Sequence, residues 1–237
     1  MKYLRLFQTV AEKQAATLDY PNVNYTIEND SLEIIAKDPT PAFGGLTVKY
    51  NIVDPTQEVT LFNGGGGSST SSSTSGSGSG SGGGRALPTR MIVDGVEEVV
   101  INTWRFKTAG EHIVQYTFAD NIIPAGFLQS NGIATEAIVG DDITEIANSS
   151  ANVPGAFENS SIRTVTIGTG ITAIGDRAFH MSELETLTVK ADTPPTLGSN
   201  ALADTSITAI YVPAASLNAY KKATGWSDFS SSIQSIS

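Results

Sequence analysis

The sequence predicts a mainly β protein in which a small β-sandwich-like domain is followed by a short, capped repeat solenoid and preceded by a small α+β module. Three observations support this fold class. Short segments rich in Thr, Ile and Val alternate apolar with polar residues, a pattern typical of β-strands. In the second half, two apolar landmarks recur at intervals of mostly 22 to 23 residues. A tract of 21 consecutive Gly, Ser and Thr residues, 64–84, interrupts the first half.

Length, charge and cysteine content narrow the function classes. Without the tract, the 237-residue chain retains 216 residues, 63 before it and 153 after it, enough for a sizeable core. The formal net charge is −10 with no basic cluster, so we expect no nucleic-acid binding and no membrane insertion. The absence of cysteine excludes disulfides and cysteine-ligated metals. The first 20 residues lack the apolar core of a cleaved export signal, so we expect a soluble chain.

Residues 1–45 are predicted to form the small α+β module. Thr9 and Glu12 have the spacing of a capping box, which predicts a short helix over 10–17. Apolar and polar residues then alternate on both sides of Asn29-Asp30, which predicts a β-hairpin. The breaker-rich segment 38–45 connects this module to the rest of the chain.

Residues 46–120 are predicted to form the small β domain. Asp94-Gly95 supplies a turn, and a later strand places four residues on one face, namely His112, Val114, Tyr116 and Phe118. We expect about five short strands, with the Gly/Ser tract between the second and the third. The tract is either a linker between separate domains or a loop within one β domain. We favour the loop, because neither flank has enough strands to bury a sheet face alone.

Residues 121–237 contain an internal repeat. Apolar lead residues are spaced 29, 22 and 23 apart, and each has an apolar partner five positions later. The leads are Ile133, Ile162, Leu184 and Ile207, and the partners are Ile138, Ile167, Val189 and Val212. A small residue followed by a large apolar residue recurs with spacings of 30, 22 and 23, at Gly126-Phe127, Ala156-Phe157, Ala178-Phe179 and Ala201-Leu202. An inserted NSSANVPG stretch explains the longer first interval, and the period is typical of leucine-rich repeats.

The units resemble the BspA-like leucine-rich repeats, whose approximate pattern is L-x-x-V-x-I-p-x-x-v-x-x-I-G-x-x-A-F-x-x-C. The best match comprises Ile162, Val165, Ile167, Ile171, Ile174, Gly175, Ala178 and Phe179. Where the family often has Cys, Met181 is expected to be a buried apolar filler. The chain end resembles the terminal unit of the family, in which a final strand (IYVP) is followed by a short helix, here about 216–224, and a tryptophan, here Trp226.

This resemblance implies a solenoid core that a C-terminal helix and indole cover at the open end. The expected core residues are Ile133, Ile138, Phe157, Ile162, Val165, Ile167, Ile174, Phe179, Leu184, Leu187, Val189, Leu202, Ile207, Val212 and Trp226. The resemblance extends upstream to about Leu46, because a segment like DGVEEVVINTWRFKTAGEHIVQYTFAD often precedes such repeats. The start of the chain, MKYLRLF…YPNVNYTIEND, resembles the start of many proteins from gut bacteria and from their tailed (crAss-like and related) phages.

No catalytic, cofactor-binding or metal site is predicted. His112 and His180 lie in different predicted domains, and each is expected to be a structural histidine. The paired carboxylates are expected to be solvated turn or edge charges, because acid–base catalysis needs two groups held across a pocket. These pairs are Glu97-Glu98, Asp141-Asp142 and Glu183/Glu185. The candidate binding residues are two aromatic residues near the cap that are expected to be more exposed than the strand aromatics, Tyr211 and Tyr220.

These features favour a non-enzymatic structural or attachment protein. The first interpretation is a phage virion fibre or capsid decoration, whose N-terminal module binds a virion or capsid protein and whose repeats contact a host or mucosal surface. Its localisation would be the virion, and a homotrimer is expected because fibre proteins are often trimeric. The alternative is a bacterial cell-surface or secreted BspA-like adhesin that binds a host protein or glycan. An enzyme that uses the β domain as a pocket is the third and least favoured interpretation.

Overall fold

The computed structural model describes the backbone of residues 24–28 and 31–35 and the whole of residues 43–63 and 87–236. The chain divides into two compact units, Met1–Ala42 and Phe43–Ser237. In the first unit, β1 (Asn24–Glu28) pairs antiparallel with β2 (Ser31–Ile35), so the predicted hairpin is confirmed. The predicted helix over 10–17 and the Gly/Ser tract lie outside the described residues.

The second unit begins with six strands where the sequence predicts about five. They are β3 (Leu46–Ile52), β4 (Val59–Thr60), β5 (Arg90–Val93), β6 (Val96–Glu98), β7 (Thr103–Trp104) and β8 (Gly110–Thr117). Asp94 and Gly95 both have positive φ, 50° and 83°, as a tight type I′ hairpin turn between β5 and β6 requires. The alternating residues of β8 are buried as predicted, and β4 with β7 forms a second, two-stranded layer.

The remaining strands alternate between four to six residues and two residues in length, except at the C-terminus. They are β9 (Ile122–Ile123), β10 (Ala134–Val139), β11 (Glu145–Ile146), β12 (Thr164–Ile167), β13 (Ala173–Ile174), β14 (Thr186–Val189), β15 (Thr196–Leu197), β16 (Ala209–Val212) and β17 (Ile233–Ser235). The two-residue strands β9, β11, β13 and β15 form their own parallel sheet. The longer strands from β10 onward also pair in parallel. The predicted mainly β fold with a parallel repeat ladder is therefore confirmed.

One large sheet joins the two parts of this unit. Within the described residues its nine strands run in the order β17-β16-β14-β12-β10-β3-β8-β5-β6, and β3 pairs antiparallel with β10. The Lys49 ammonium, 2.8 Å from a Glu136 carboxylate oxygen, bridges the two strands at this junction. The predicted domain boundary near Asp120 therefore separates two groups of strands that belong to one continuous sheet. The separate folding of residues 46–120 and 121–237 stays a prediction.

The first repeat unit is offset by one residue from its expected register. Pairing of β10 with β12 places Val139, and not Ile138, opposite Ile167. Val139 is consequently buried, whereas Ile133 and Ile138 are only half-buried. One extra residue lies between the turn and strand β10, because Leu128 to Ala134 spans 6 positions where Phe157 to Ile162 spans 5. Apolar residues stand at both Ile138 and Val139, so spacing alone did not distinguish them.

The turns between short and long strands form a hydrogen-bonded ladder around stacked rings. The amide of Phe157 donates to the carbonyl of Ala178 (2.7 Å), and that of Phe179 donates to the carbonyl of Ala201 (2.8 Å). The rings of Phe157 and Phe179 stack with centroids 4.8 Å apart and planes 5° apart. Amide pairing places Leu128 in the equivalent position of the first unit, since its amide donates to the carbonyl of Ala156 (2.6 Å).

The predicted burial of Met181 is wrong. Its side chain is 54% exposed, and its backbone φ of 56° belongs to a left-handed position that recurs in every turn. The recurring residues are Ser130, Asn159, Met181 and Asp204, all with φ between 54° and 56° and all with exposed side chains. The buried position is the next one, Ser182, whose hydroxyl donates to the carbonyl of Phe179 at 2.7 Å.

The C-terminal cap contains the predicted helix and indole but also one more strand. After β16 come a 3₁₀ turn (Ala214–Ser216), helix α1 (Leu217–Lys222) and a second 3₁₀ turn (Trp226–Phe229). The buried indole of Trp226 donates to the carbonyl of Pro195 at 2.8 Å. The expectation that IYVP is the final strand is wrong, because β17 pairs with β16 and becomes the edge.

Candidate functional site

The outer face of the long sheet is the broadest regular surface of the repeat region. In each strand the inward residues fill the core, and the alternate residues point outward because side chains alternate with a period of two. On β12, β14 and β16 these outward positions, all half-buried, are Thr164, Thr166, Thr186, Thr188, Ala209 and Tyr211. We call these six residues the threonine face. Sequence reasoning missed it, although the TVT and TLT strands were visible as alternating segments.

Strand register arranges the threonine face in two rows. Thr164 lies beside Thr186 and Thr186 beside Ala209, whereas Thr166, Thr188 and Tyr211 form the second row. Neighbouring strands lie about 4.8 Å apart and successive outward residues about 6.7 Å apart. β-Branched side chains are stiff at χ1, so this surface loses little side-chain entropy when a partner covers it.

Charged residues lie around the threonine face and not within it. At one side Lys49 contacts Glu136, and the hydrogen bond to this carboxylate raises the pKa of Lys49 above its ordinary value. At the start of β12 and β14, Arg163 pairs with Glu183 (2.9 Å) and Glu185 (3.2 Å). The chain has a net charge of −10, but the six residues of the threonine face are neutral and the charged pairs lie around them. A neutral surface of this kind favours contact with an uncharged partner.

His112 is placed as a structural residue inside the β domain. Its Nδ1 lies 2.7 Å from Oδ2 of Asp94, and its Nε2 lies 2.9 Å from the carbonyl oxygen of Thr108. The ring also stacks on Phe106, with centroids 4.2 Å apart. Asp94 also accepts a hydrogen bond from the amide of Ile113 (3.0 Å), so the carboxylate orients a turn and the imidazole fills space beneath it.

His180 belongs to an ionic cluster that links neighbouring repeat turns. Glu158 is buried and contacts the guanidinium of Arg177, and its other carboxylate oxygen accepts the amide of Gly155 at 2.8 Å. The Nδ1 atom of His180 lies 3.7 Å from Glu158, and its Nε2 atom lies 3.2 Å from Asp204. Within the described residues, no group of acidic and histidine side chains is arranged to hold a metal ion.

The predicted carboxylate pairs are dispersed over strand edges and turns. Glu97 pairs with Arg90 across the β5–β6 hairpin, and this contact lowers the pKa of Glu97. Asp141 accepts the amide and the hydroxyl of Thr169 (2.7 and 3.1 Å). These hydrogen bonds, first that of the amide, lower the pKa of Asp141, and Lys190 adds to the effect. Glu97 therefore supports its own hairpin, whereas Asp141, Glu183 and Glu185 link neighbouring repeat units.

The two predicted aromatic binding residues have different environments. Tyr211 is half-buried on the threonine face, and its role in binding stays a prediction. Tyr220 lies inside the cap, fully buried, with its hydroxyl donating to the carbonyl of Ala191 at 2.8 Å and its ring against Trp226. The expected exposure of Tyr220 is wrong, because helix α1 turns this residue toward the last repeat.

The fold and this surface define a class, a short parallel β-solenoid built from repeats of 22 to 23 residues. Residues 134–236 match the family described as BspA type leucine rich repeat region, in 6 copies, and they are a repeat region of that type. Such repeats are generally non-catalytic and are typically associated with surface binding and adhesion. No curated protein matches the chain at a significant level. Among the described residues, no helix has the length and apolarity needed to span a bilayer.

Proposed function

We propose that this protein is a non-enzymatic attachment protein that binds its partner through the threonine face. The observation that carries the proposal is the neutral, two-row array of Thr164, Thr166, Thr186, Thr188, Ala209 and Tyr211 on a rigid parallel ladder. Threonine offers a hydroxyl and a methyl group at each position, so the array suits a partner with hydrogen-bonding groups on a flat surface. The expected partner is a host or mucosal surface protein or glycan.

Two settings fit an attachment protein of this design. We favour a phage virion fibre or capsid decoration, in which the N-terminal module binds a virion or capsid protein and the repeats point outward. The resemblance of the chain start to proteins of gut bacteria and their phages supports this setting. The alternative is a bacterial surface or secreted adhesin, which is the setting that the repeats by themselves support.

A matched pair of surface variants tests the role of the threonine face. Fluorescently labelled full chain is incubated with gut bacterial cells and with immobilised mucin, and bound fluorescence is measured. The double variant Thr166→Lys/Thr188→Lys places two charges on the threonine face. A partner that covers this face would have to desolvate both ammonium groups, so binding should fall at least about tenfold. Thr196→Lys, exposed on the opposite short-strand sheet, is the control and should bind like the parent. Equal binding by the face variant would contradict the proposal.

Mass spectrometry of purified phage particles separates the two settings. A virion protein should remain with the particles through density-gradient purification at a stoichiometry consistent with symmetric copies. An adhesin should instead occur on bacterial cells that carry no prophage. Loss of the protein from washed particles would contradict the virion setting and leave the role of the threonine face intact.

A further inference from the structure

A cleft of about 360 Å³ lies at the junction between the β domain and the first repeat, away from the threonine face. One wall is formed by strand β4 and the residues after it, and the other by the first repeat turn. The lining residues are Val59, Thr60, Asn63, Gln129, Ser130, Asn131, Gly132 and Ile133. Its volume falls in the range of small-ligand pockets, roughly 300–1,000 Å³.

Two asparagines hold the walls of this cleft in place. The buried Asn131 amide donates to the carbonyls of Thr60 (3.2 Å) and Leu61 (3.1 Å), and its oxygen accepts the amides of Ile133 and Ala134. The Asn63 amide donates across the cleft floor to the carbonyls of Gly126 (3.1 Å) and Gln129 (2.7 Å). Because these bonds fix both walls, the cleft is preorganised and little conformational entropy is lost when a ligand binds.

Several polar atoms of the lining remain available to a ligand. Oδ1 of Asn63, Oε1 of Gln129 and the hydroxyl of Thr60 have no hydrogen-bond partner among the described residues. No carboxylate, ammonium, guanidinium or imidazole is among the lining residues. Two acceptors and one hydroxyl without a charge match a ligand that carries several hydroxyl groups and no net charge.

Apolar surface adjoins these polar atoms. Val59 and Ile133 are half-buried in the lining, and Trp104 lies directly opposite Val59 in the β4–β7 pair, also half-buried. Residues opposite each other in an antiparallel pair share a face, so the indole lies on the same face of this pair as Val59, outside the cleft lining. The apolar side chains of Val59 and Ile133 beside hydroxyl-binding groups suit a sugar ring, which has an apolar C–H face and polar edges.

We propose that this cleft binds a neutral saccharide unit of one or two rings. Asn63, Gln129 and Thr60 contact its hydroxyl groups, and Val59 and Ile133 contact its apolar face. The site differs from the threonine face in residues and position, so each can fail without the other.

Nuclear magnetic resonance titration of the ¹⁵N-labelled full chain tests this site. The probes are galactose, N-acetylglucosamine and N-acetylgalactosamine, with the anionic sugar sialic acid for comparison. We expect saturable shifts at the amides of 129–134 with at least one neutral probe, with Kd near 1–10 mM, about −3 to −4 kcal/mol. The Trp226 indole, buried in the cap, should not shift.

Matched variants assign the shifts to the cleft. Thr60→Val and Gln129→Met remove the polar atoms at similar volume and should each raise Kd at least about threefold, a loss of roughly 0.6 kcal/mol or more. Thr166→Val on the threonine face should leave Kd unchanged. An unchanged spectrum away from the cleft shows that each variant is folded. The proposal is overturned by the absence of saturable shifts with all three neutral sugars, or by shifts that persist unchanged in both cleft variants.

Discussion

At the scale of single residues, position within the repeat determines which side chains matter. Phe179 is fully buried and stacked on Phe157, whereas Met181, two residues later, is 54% exposed. Both are large apolar residues in the same turn. The difference arises because the backbone of Met181 is left-handed and directs its side chain outward, while Ser182 takes the buried position and satisfies the Phe179 carbonyl.

Phe179→Ala should be among the most destabilising substitutions in the chain. Removal of the ring leaves a cavity between stacked units, and we expect a loss of about 3–5 kcal/mol in the free energy of unfolding. Met181→Ala in the same turn is the matched control, with an expected change within about 0.5 kcal/mol. Chemical denaturation measures both, and similar losses for the two variants would contradict the placement of these side chains.

Among the residues whose side chains the structure describes, three tyrosines are buried and make the protein sensitive to alkali. Burial raises the pKa of Tyr50, Tyr116 and Tyr220, so the folded state keeps these hydroxyls protonated at a pH where the unfolded state releases them. Stability is therefore complete below about pH 10 and falls above it, by about 1.4 kcal/mol per pH unit for each tyrosine. Tyr220→Phe should reduce this slope by about one third, with Tyr211→Phe on the threonine face as the control. Chemical denaturation between pH 10 and 11 measures how the free energy of unfolding changes with pH. An equal fall in the parent and in Tyr220→Phe would contradict this account.

At the scale of elements, the insertion in the first repeat is a loop added outside the ladder. Ile146 to Phe157 spans 11 positions, whereas Ile174 to Phe179 spans 5, a difference of 6. Ser150 and Val153 close the added segment with an isolated bridge. The strands on both sides keep their parallel register, since Ile146 still lies opposite Ile174.

Deletion of residues 149–154 should restore the shorter unit without loss of the fold. It would join Asn148 to Gly155 and leave 5 positions between Ile146 and Phe157, as in the next unit. A shorter loop costs less closure entropy, so we expect the free energy of unfolding to change by no more than about 1 kcal/mol. Deletion of 170–175, equally long but containing strand β13, is the control and should abolish cooperative unfolding.

At the scale of the whole molecule, the β domain closes the N-terminal end of the solenoid. Strand β3 covers the edge of β10, and Phe127 from the first repeat inserts into the aromatic core of the β domain. Its ring lies 5.0 Å from Phe62, 5.1 Å from Tyr116 and 5.2 Å from Phe118, measured between centroids. A C-terminal cap and an N-terminal β domain thus protect both ends of a short array.

The fragment 121–237 should therefore fold poorly by itself. Without β3 the edge of β10 is unpaired, and Phe127 loses all three aromatic neighbours. We expect aggregation or loss of the cooperative transition, measured by circular dichroism and size-exclusion chromatography, whereas residues 43–237 should behave like the full chain. A soluble fragment 121–237 with a cooperative transition would instead support separate domains on the two sides of Asp120.

Local patterns in the sequence were sufficient for the strand faces, the Asp94-Gly95 hairpin, the repeat period and the position of the Trp226 cap. These features depend on residues close together in the chain, so the alternation of apolar and polar residues and the turn-forming residues in the sequence are enough to predict them. The register of β10, the exposure of Met181, the burial of Tyr220 and the threonine face depended on pairing between distant strands. A shift of one residue turns a side chain from core to solvent, and only the tertiary hydrogen-bond ladder selects between the two. The cleft between β4 and the first repeat turn has the same origin, because its walls lie about 70 positions apart in the sequence and are joined by the tertiary hydrogen bonds of Asn131 and Asn63.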